Sequence, residues 1–210
     1  MTEDKNVRVT KTEDKSVRVA KTEGKDAPAI KPSDVSIRVV NIVVSTSLEH
    51  DIPLEKMAAV LPNTEYNPEQ FPGLVIRIKE PKTSALIFSS GKVVCTGAKS
   101  LDKVEESIAQ IIQSLKKINI EIKIKPVITV QNIVASGQIG MDLNLNKLAM
   151  KLDNTEYEPE QFPGLVYKLM EAKATFLLFS NGKIVCTGTK SEAEVHKAVD
   201  KLIEILKKVK

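Results

Sequence analysis

Tryptophan is absent, and aromatic side chains make up only 4% of the 210 residues, with phenylalanine supplying five of them. Cysteine is scarcer still. Cys95 and Cys186 are the only two, and neither has a Cys or His nearby in sequence, so buried thiols are expected instead of a disulfide or a metal site. The two histidines, His50 and His196, have around them no nucleophile and base pair, no metal-ligand spacing and no glycine-rich phosphate loop. Catalysis therefore has little support, and no cofactor is implied. No apolar run approaches the roughly 20 residues that span a bilayer, and the N-terminus is charged from the outset without a secretory apolar core. The chain is expected to stay inside the cell. Neither sign of charge dominates: 31 Lys and Arg against 27 Asp and Glu leave a net +4 and a pI near 8.9. That balance is compatible with a polyanionic partner without being diagnostic of one. What is present, 42% hydrophobic and 28% charged residues, is the composition of a protein that buries a core.

The most informative positive feature is a duplication. Residues 63–100 return as residues 154–191 at a constant offset of 91, without a gap and with 25 of 38 positions identical. The register extends upstream, where Val39, Asn41, Ile42 and Val43 meet Val130, Asn132, Ile133 and Val134. Units of this length are too long and too few for a solenoid or propeller, which leaves two fused halves related by a pseudo-twofold axis. The division expected is a charged tail over 1–35, a first repeat over 36–126 and a second over 127–210. The tail carries a decaying decapeptide, TEDKNVRVTK, TEDKSVRVAK and TEGKDAPAIK, too poor in apolar residues to offset its ordering entropy.

Within each repeat the β-branched runs IRVVNIVVS and ITVQNIVAS read as a first strand, followed by a short helix. Three strands are expected near 74–79, 83–88 and 93–96, and again near 165–170, 174–179 and 184–187, with a further short one at Asn63–Tyr66. Ser89-Ser90-Gly91-Lys92 and Ser180-Asn181-Gly182-Lys183 have hairpin-turn composition. Each repeat closes with an amphipathic helix: Leu101, Val104, Ile108, Ile111, Ile112 and Leu115 share one face, as do Val195, Val199, Leu202 and Leu206. Ser100 and Ser191 stand at N-cap positions, and Glu194 completes a capping box in the second repeat only. Strand, helix, four strands, helix is an α+β fold with a largely antiparallel sheet.

Alternation gives these strands two apolar faces, and one long helix per repeat covers only one of them. One consistent assignment buries Ile42, Val44, Ile87, Val93 and Cys95 under the helices. It leaves Asn41, Val43, Leu86, Phe88, Val94 and Thr96 on the opposite side, with their counterparts 91 residues on. Such a face is a binding surface, a dimer interface or a second layer of core, since strands buried on both faces show the same periodicity.

QNIV, EYNPEQFPGLV and ALIFSSGKVVCTGAKS, with their second-copy forms, closely resemble the TATA-binding protein family over about residues 36–210. The resemblance implies a pseudo-twofold saddle: one curved ten-stranded antiparallel sheet, helices on its convex side and double-stranded DNA beneath. It implies a general transcription factor that binds A/T-rich promoter DNA in the minor groove, with transcription factor B and, indirectly, RNA polymerase as partners. The family is the standard example of side-chain wedges that kink a duplex, and its wedge phenylalanines fall on Phe71, Phe88, Phe162 and Phe179. Its central polar contacts correspond to Asn41, Thr96, Asn132 and Thr187, with Val43, Val94, Val134, Val185, Leu86 and Leu177 packing beside them. Arg77 and Lys82 lie close to positions where the family has basic phosphate-binding residues, and Lys168, Lys173, Lys92, Lys99, Lys183 and Lys190 recur in register as further phosphate candidates. Glu158 and Glu160 lie in the loop that meets transcription factor B in the family. The Pro-Gly after Phe71, the alike halves and the short charged tail resemble archaeal members, which implies a nucleoid-associated cytoplasmic protein, or a nuclear one in a eukaryote. Related sheets also serve as accessory domains of DNA-processing enzymes, the alternative reading.

Overall fold

Alternating β-branched and polar residues over Ser36–Ser47 form the long strand β1, which stands at the centre of a ten-stranded antiparallel sheet. The computed structural model describes residues 35–209, so the decapeptide tail lies outside the described residues apart from Val35. Helix α1 (Leu54–Val60) follows β1, with Pro53 at its N-cap in an extended conformation and with no amide of its own to satisfy. Then come β2 (Thr64–Glu65), β3 (Gly73–Ile78), β4 (Thr83–Phe88), β5 (Lys92–Ala98) and helix α2 (Leu101–Lys116). The order repeats as β6 (Thr129–Gln138), α3 (Leu145–Lys151), β7 (Thr155–Glu156), β8 (Leu165–Leu169), β9 (Ala174–Leu178), β10 (Lys183–Thr189) and α4 (Glu192–Val209). In space the sheet reads β2-β3-β4-β5-β1-β6-β10-β9-β8-β7, so within the sheet the two halves are joined by the β1–β6 pair. Each half ends in a two-residue strand, a short edge that offers little to a foreign strand.

The helices cover one face. Val104, Ile108, Ile111 and Leu115 of α2 and Val195, Val199, Leu202 and Leu206 of α4 are buried in the same core as Ile42, Val44, Ile87, Val93 and Cys95. Each of these aliphatic side chains, fully removed from water, contributes about 1.5–3 kcal/mol. Leu101 departs from the expected stripe and is 51% exposed, because it sits in the first turn of α2 at the margin of the apolar face. Ile112, at the other margin, is half-buried. Ser100 makes no side-chain cap, whereas the Glu194 amide donates to Ser191 Oγ. The Glu194 carboxylate accepts from the Lys190 amide instead of that of Ser191, so the capping box is offset by one residue. One buried polar pair is replaced as a unit: Thr83 and Ser107 hydroxyls lie 2.8 Å apart in the first repeat, and the second has Ala174 and Ala198 at those places. Losing both partners together leaves nothing unsatisfied.

Both cysteines are free and buried. Burial raises both thiol pKa values; at Cys95 hydrogen bonds from Ser107 and Thr83 oppose it in part, while Cys186 is pushed up to about 11. The folded chain is therefore expected to resist a disulfide-exchange reagent near pH 8, about where free thiols begin to react. Above the unfolded value of 9.0, an unfolded Cys186 loses a proton that the folded one keeps, so its contribution to stability is lost as pH rises through 9.0 towards about 11. Urea denaturation of the parent and Cys186→Ala across that window checks the sign. Among the described residues no helix is long and apolar enough to cross a membrane.

Candidate nucleic-acid interface

The side of the sheet away from the helices carries a row of residues that are neither buried nor fully exposed: Asn41, Val43, Val75, Leu86, Val94 and Thr96, with Asn132, Val134, Val166, Leu177, Val185 and Thr187 in the second half. Strand register shows that they share a face, since Thr96 stands opposite Ser84 and Ser84 opposite Arg77, while Val94, Leu86, Val75 and Glu65 form the next row. The second half repeats this with Thr187, Thr175 and Lys168, then Val185, Leu177, Val166 and Glu156.

Near the pseudo-twofold axis each Asn is pinned by a bulge. The register slips between Ile42 and Val44 against β5, and Gly97 takes a φ of +102°, which turns its amide out of the ladder and onto Asn41 Oδ1 at 2.7 Å. A Cβ at Gly97 would lie 3.1 Å from the Lys82 carbonyl oxygen, so no other residue fits this turn without strain. The same arrangement joins the Gly188 amide to Asn132 Oδ1 at 2.8 Å. Because a backbone N–H only donates, it fixes which end of each amide is oxygen. The Nδ2 groups then donate to Thr96 Oγ1 (3.1 Å) and Thr187 Oγ1 (3.0 Å). Each Nδ2 keeps a second hydrogen, while the Thr96 and Thr187 hydroxyls also donate to Asn41 Oδ1 (3.2 Å) and Asn132 Oδ1 (3.3 Å). The centre of the face thus offers donors, framed by valines.

Two pairs of phenylalanine rings flank this centre. Phe71 and Phe88 have centroids 5.9 Å apart at 61°, and Phe162 and Phe179 are 6.0 Å apart at 67°, both edge-to-face. Phe71 and Phe162 are 42% and 44% exposed, which is costly for such groups in water. A helical turn delivers each ring: the Phe71 amide donates to the Asn67 carbonyl, and the Phe162 amide to that of Glu158. Glycine makes the space beside them, since a Cβ at Gly73 would meet Phe71 at 2.7 Å and one at Gly164 would meet Phe162 at 2.6 Å. Glu158 and Glu160 are exposed in the loop carrying Phe162.

The cations are divided. Arg77 bonds Glu65 at 3.1 Å and Lys168 bonds Glu156 at 2.8 Å, both pairs exposed at the sheet's outer strands. The hydrogen bond from Lys168 holds the Glu156 carboxyl below the usual carboxylate range. The two glutamates were not among the residues expected at this face; a Glu two residues before each first loop carries no signal by itself. Lys82, Lys92, Lys173 and Lys183 are exposed. Among the described residues no three His, Cys, Asp or Glu side chains group as metal ligands.

A sequence profile described as transcription factor TFIID, or TATA-binding protein, matches residues 36–118 and again 127–209. The chain belongs to the TATA-binding protein family. A TATA-box-binding protein of Pyrococcus horikoshii is 51% identical over 179 residues, covering 85% of this chain and 94% of that one. One of Picrophilus torridus is 55% identical over 175 residues, covering 82% and 95%. The solved structure of the Methanococcus jannaschii family member superposes with a TM-score of 0.78 at 49% identity, covering 82% of this chain and 98% of that one. The family is one of transcription factors, not of enzymes. Within it, the ten-stranded antiparallel sheet and doubled repeat seen here are the shared fold.

Proposed function

We propose that this chain binds A/T-rich promoter DNA through the helix-free face, opens the minor groove with its two Phe pairs and presents the Glu158 and Glu160 loop to transcription factor B, which brings in RNA polymerase. The observation that carries the reading is the placement of four exposed or half-buried Phe rings as two edge-to-face pairs at opposite ends of one apolar sheet face. From β4 to β9 there are five strand-to-strand steps, or about 24 Å at about 4.8 Å each. That is the rise of about seven base steps at about 3.4 Å. A ring pair at each end can enter a base step and unstack it, and the apolar strands between can follow the widened groove.

The chemistry at the centre supports A·T over G·C. In the minor groove an A·T pair shows only the acceptors adenine N3 and thymine O2, whereas G·C adds an amino donor. The remaining Nδ2 hydrogens of Asn41 and Asn132, beside the Thr96 and Thr187 hydroxyls that hold those amides, suit acceptors, and the surrounding Val43, Val94, Val134 and Val185 leave the guanine amino group without a partner. Arg77, Lys82, Lys168 and Lys173 hold phosphates. Arg77 and Lys168 first release Glu65 and Glu156, a small cost for pairs so exposed.

A gel-shift comparison of a TATA duplex with a G/C-rich one over a salt series tests this. The expected result is retention of the TATA duplex only, with log affinity falling linearly as log salt rises, by about 0.9 per phosphate contact. Equal retention of both duplexes would remove the minor-groove reading. No retention at low salt would remove DNA altogether.

A further inference from the structure

On the strands of the open face the two halves are near copies: Asn41 is matched by Asn132, Val43 by Val134 and Arg77 by Lys168, so that across the seam Asn41 pairs with Val134 and Val43 with Asn132. Such a surface would sit equally well on an A/T duplex in either direction. One strand position breaks the match in charge. Arg38 of β1 corresponds to Thr129 of β6 under the 91-residue offset. Other charge differences, among them Lys79 against Met170, Asn67 against Glu158, Glu49 against Gly140 and Pro62 against Asp153, lie beyond the strand ends.

A backbone irregularity puts Arg38 on this face. Counting back from Asn41 by strict alternation would place Val39 beside it and Arg38 on the core side. The register instead slips between Val39 and Asn41, so Val39 pairs with the buried Ala135 and Arg38 with Ser136, which in turn pairs with Val185. Arg38, carried by the first repeat, thus shares a strand row with Ser136 and Val185 of the second. There it is exposed and borders an open groove of about 540 Å³ with Phe179 and Lys183, and it also borders a smaller groove with Lys99, Glu192 and His196. Among the described residues no carboxylate forms an ion pair with it, unlike Arg77 and Lys168. A matching slip between Val43 and Val44 sets Thr129 opposite Ser45 in the mirror place, where it offers only a hydroxyl.

We infer that Arg38 is a specificity-determining residue that fixes which way round this chain lies on an A/T-rich duplex, an inference that rests on the DNA-binding reading above. The two ends of an asymmetric A/T element differ in groove width and negative potential, and an arginine is drawn to the narrower, more negative stretch. One cation present on one half turns that difference into a preferred direction; two identical halves could not.

The test attaches a donor dye to a cysteine introduced at the exposed Lys197 of α4, Cys95 and Cys186 being buried, and an acceptor to one end of an asymmetric TATA duplex. Single-molecule transfer at low salt then reports the two orientations as two populations. The parent is expected to favour one by about threefold or more. Arg38→Thr should bring the ratio near unity and lower the salt slope of binding by about one. Arg38→Thr with Thr129→Arg should reverse the preference. Equal populations in the parent, or a parent ratio that persists in both variants, would overturn the role of Arg38. A parent that binds no duplex would instead overturn the reading on which it rests.

Discussion

Phe162→Ala combined with Phe179→Ala is expected to return the end-to-end distance of a doubly labelled TATA duplex about halfway to its free value and to weaken binding by roughly 10–100-fold. Opening a base step costs a few kcal/mol, offset only while an apolar surface fills the gap. Alanine at both positions removes that surface at one end of the sheet. The kink there closes, while Phe71 and Phe88 keep theirs at the other end. Phe71→Ala with Phe88→Ala should give the mirror result, and the fourfold variant a duplex of nearly free length. The fold should survive, because Phe71 and Phe162 are 42% and 44% exposed and each ring's main neighbour is its partner. A duplex shortened to the parent's extent by the fourfold variant would end the wedge mechanism.

A second large effect belongs to the core. Phe176 is fully buried, between Tyr167 on β8 and Cys186 on β10, at the place where the first repeat has Ala85. Phe176→Ala is expected to destabilise the chain by about 3–5 kcal/mol, the lost transfer free energy plus that of the cavity left behind. For a protein of this size that lowers Tm by roughly 6–20 °C, read by circular dichroism. Ala85→Phe should also destabilise, by about 1–3 kcal/mol, since the first repeat has no such space to fill. Unchanged melting in Phe176→Ala would mean that the surrounding helices collapse onto the site. Binding of TATA DNA below the transition should be unaffected, because Phe176 points away from the open face.

The residues of the interface differ in how far local pattern could reveal them. Ile42, Val44, Ile87, Val93 and Cys95 were separable from Val43, Leu86, Phe88 and Val94 by period-two alternation, and the strands show that division. Asn41 and Asn132 could be placed on the open side in the same way, but their orientation depends on the Gly97 and Gly188 amides, which bulges supply from another strand. Arg38 was hidden for a related reason, since counting along β1 assigns it to the wrong face. Arg77 and Lys168 were legible as cations, whereas their pairing with Glu65 and Glu156 joins residues 12 apart across a strand pair.

What this chain determines residue by residue is therefore its doubling, its strand and helix order and the two-sided character of each strand, because these follow from composition and from side-chain periods of two and 3.6 residues. The tertiary structure alone decided which strands join the halves, β1 and β6, and that slips in register lift Arg38 onto the shared face. Strand pairing and bulges are settled by hydrogen bonds between segments far apart in the chain, and no local period carries that information.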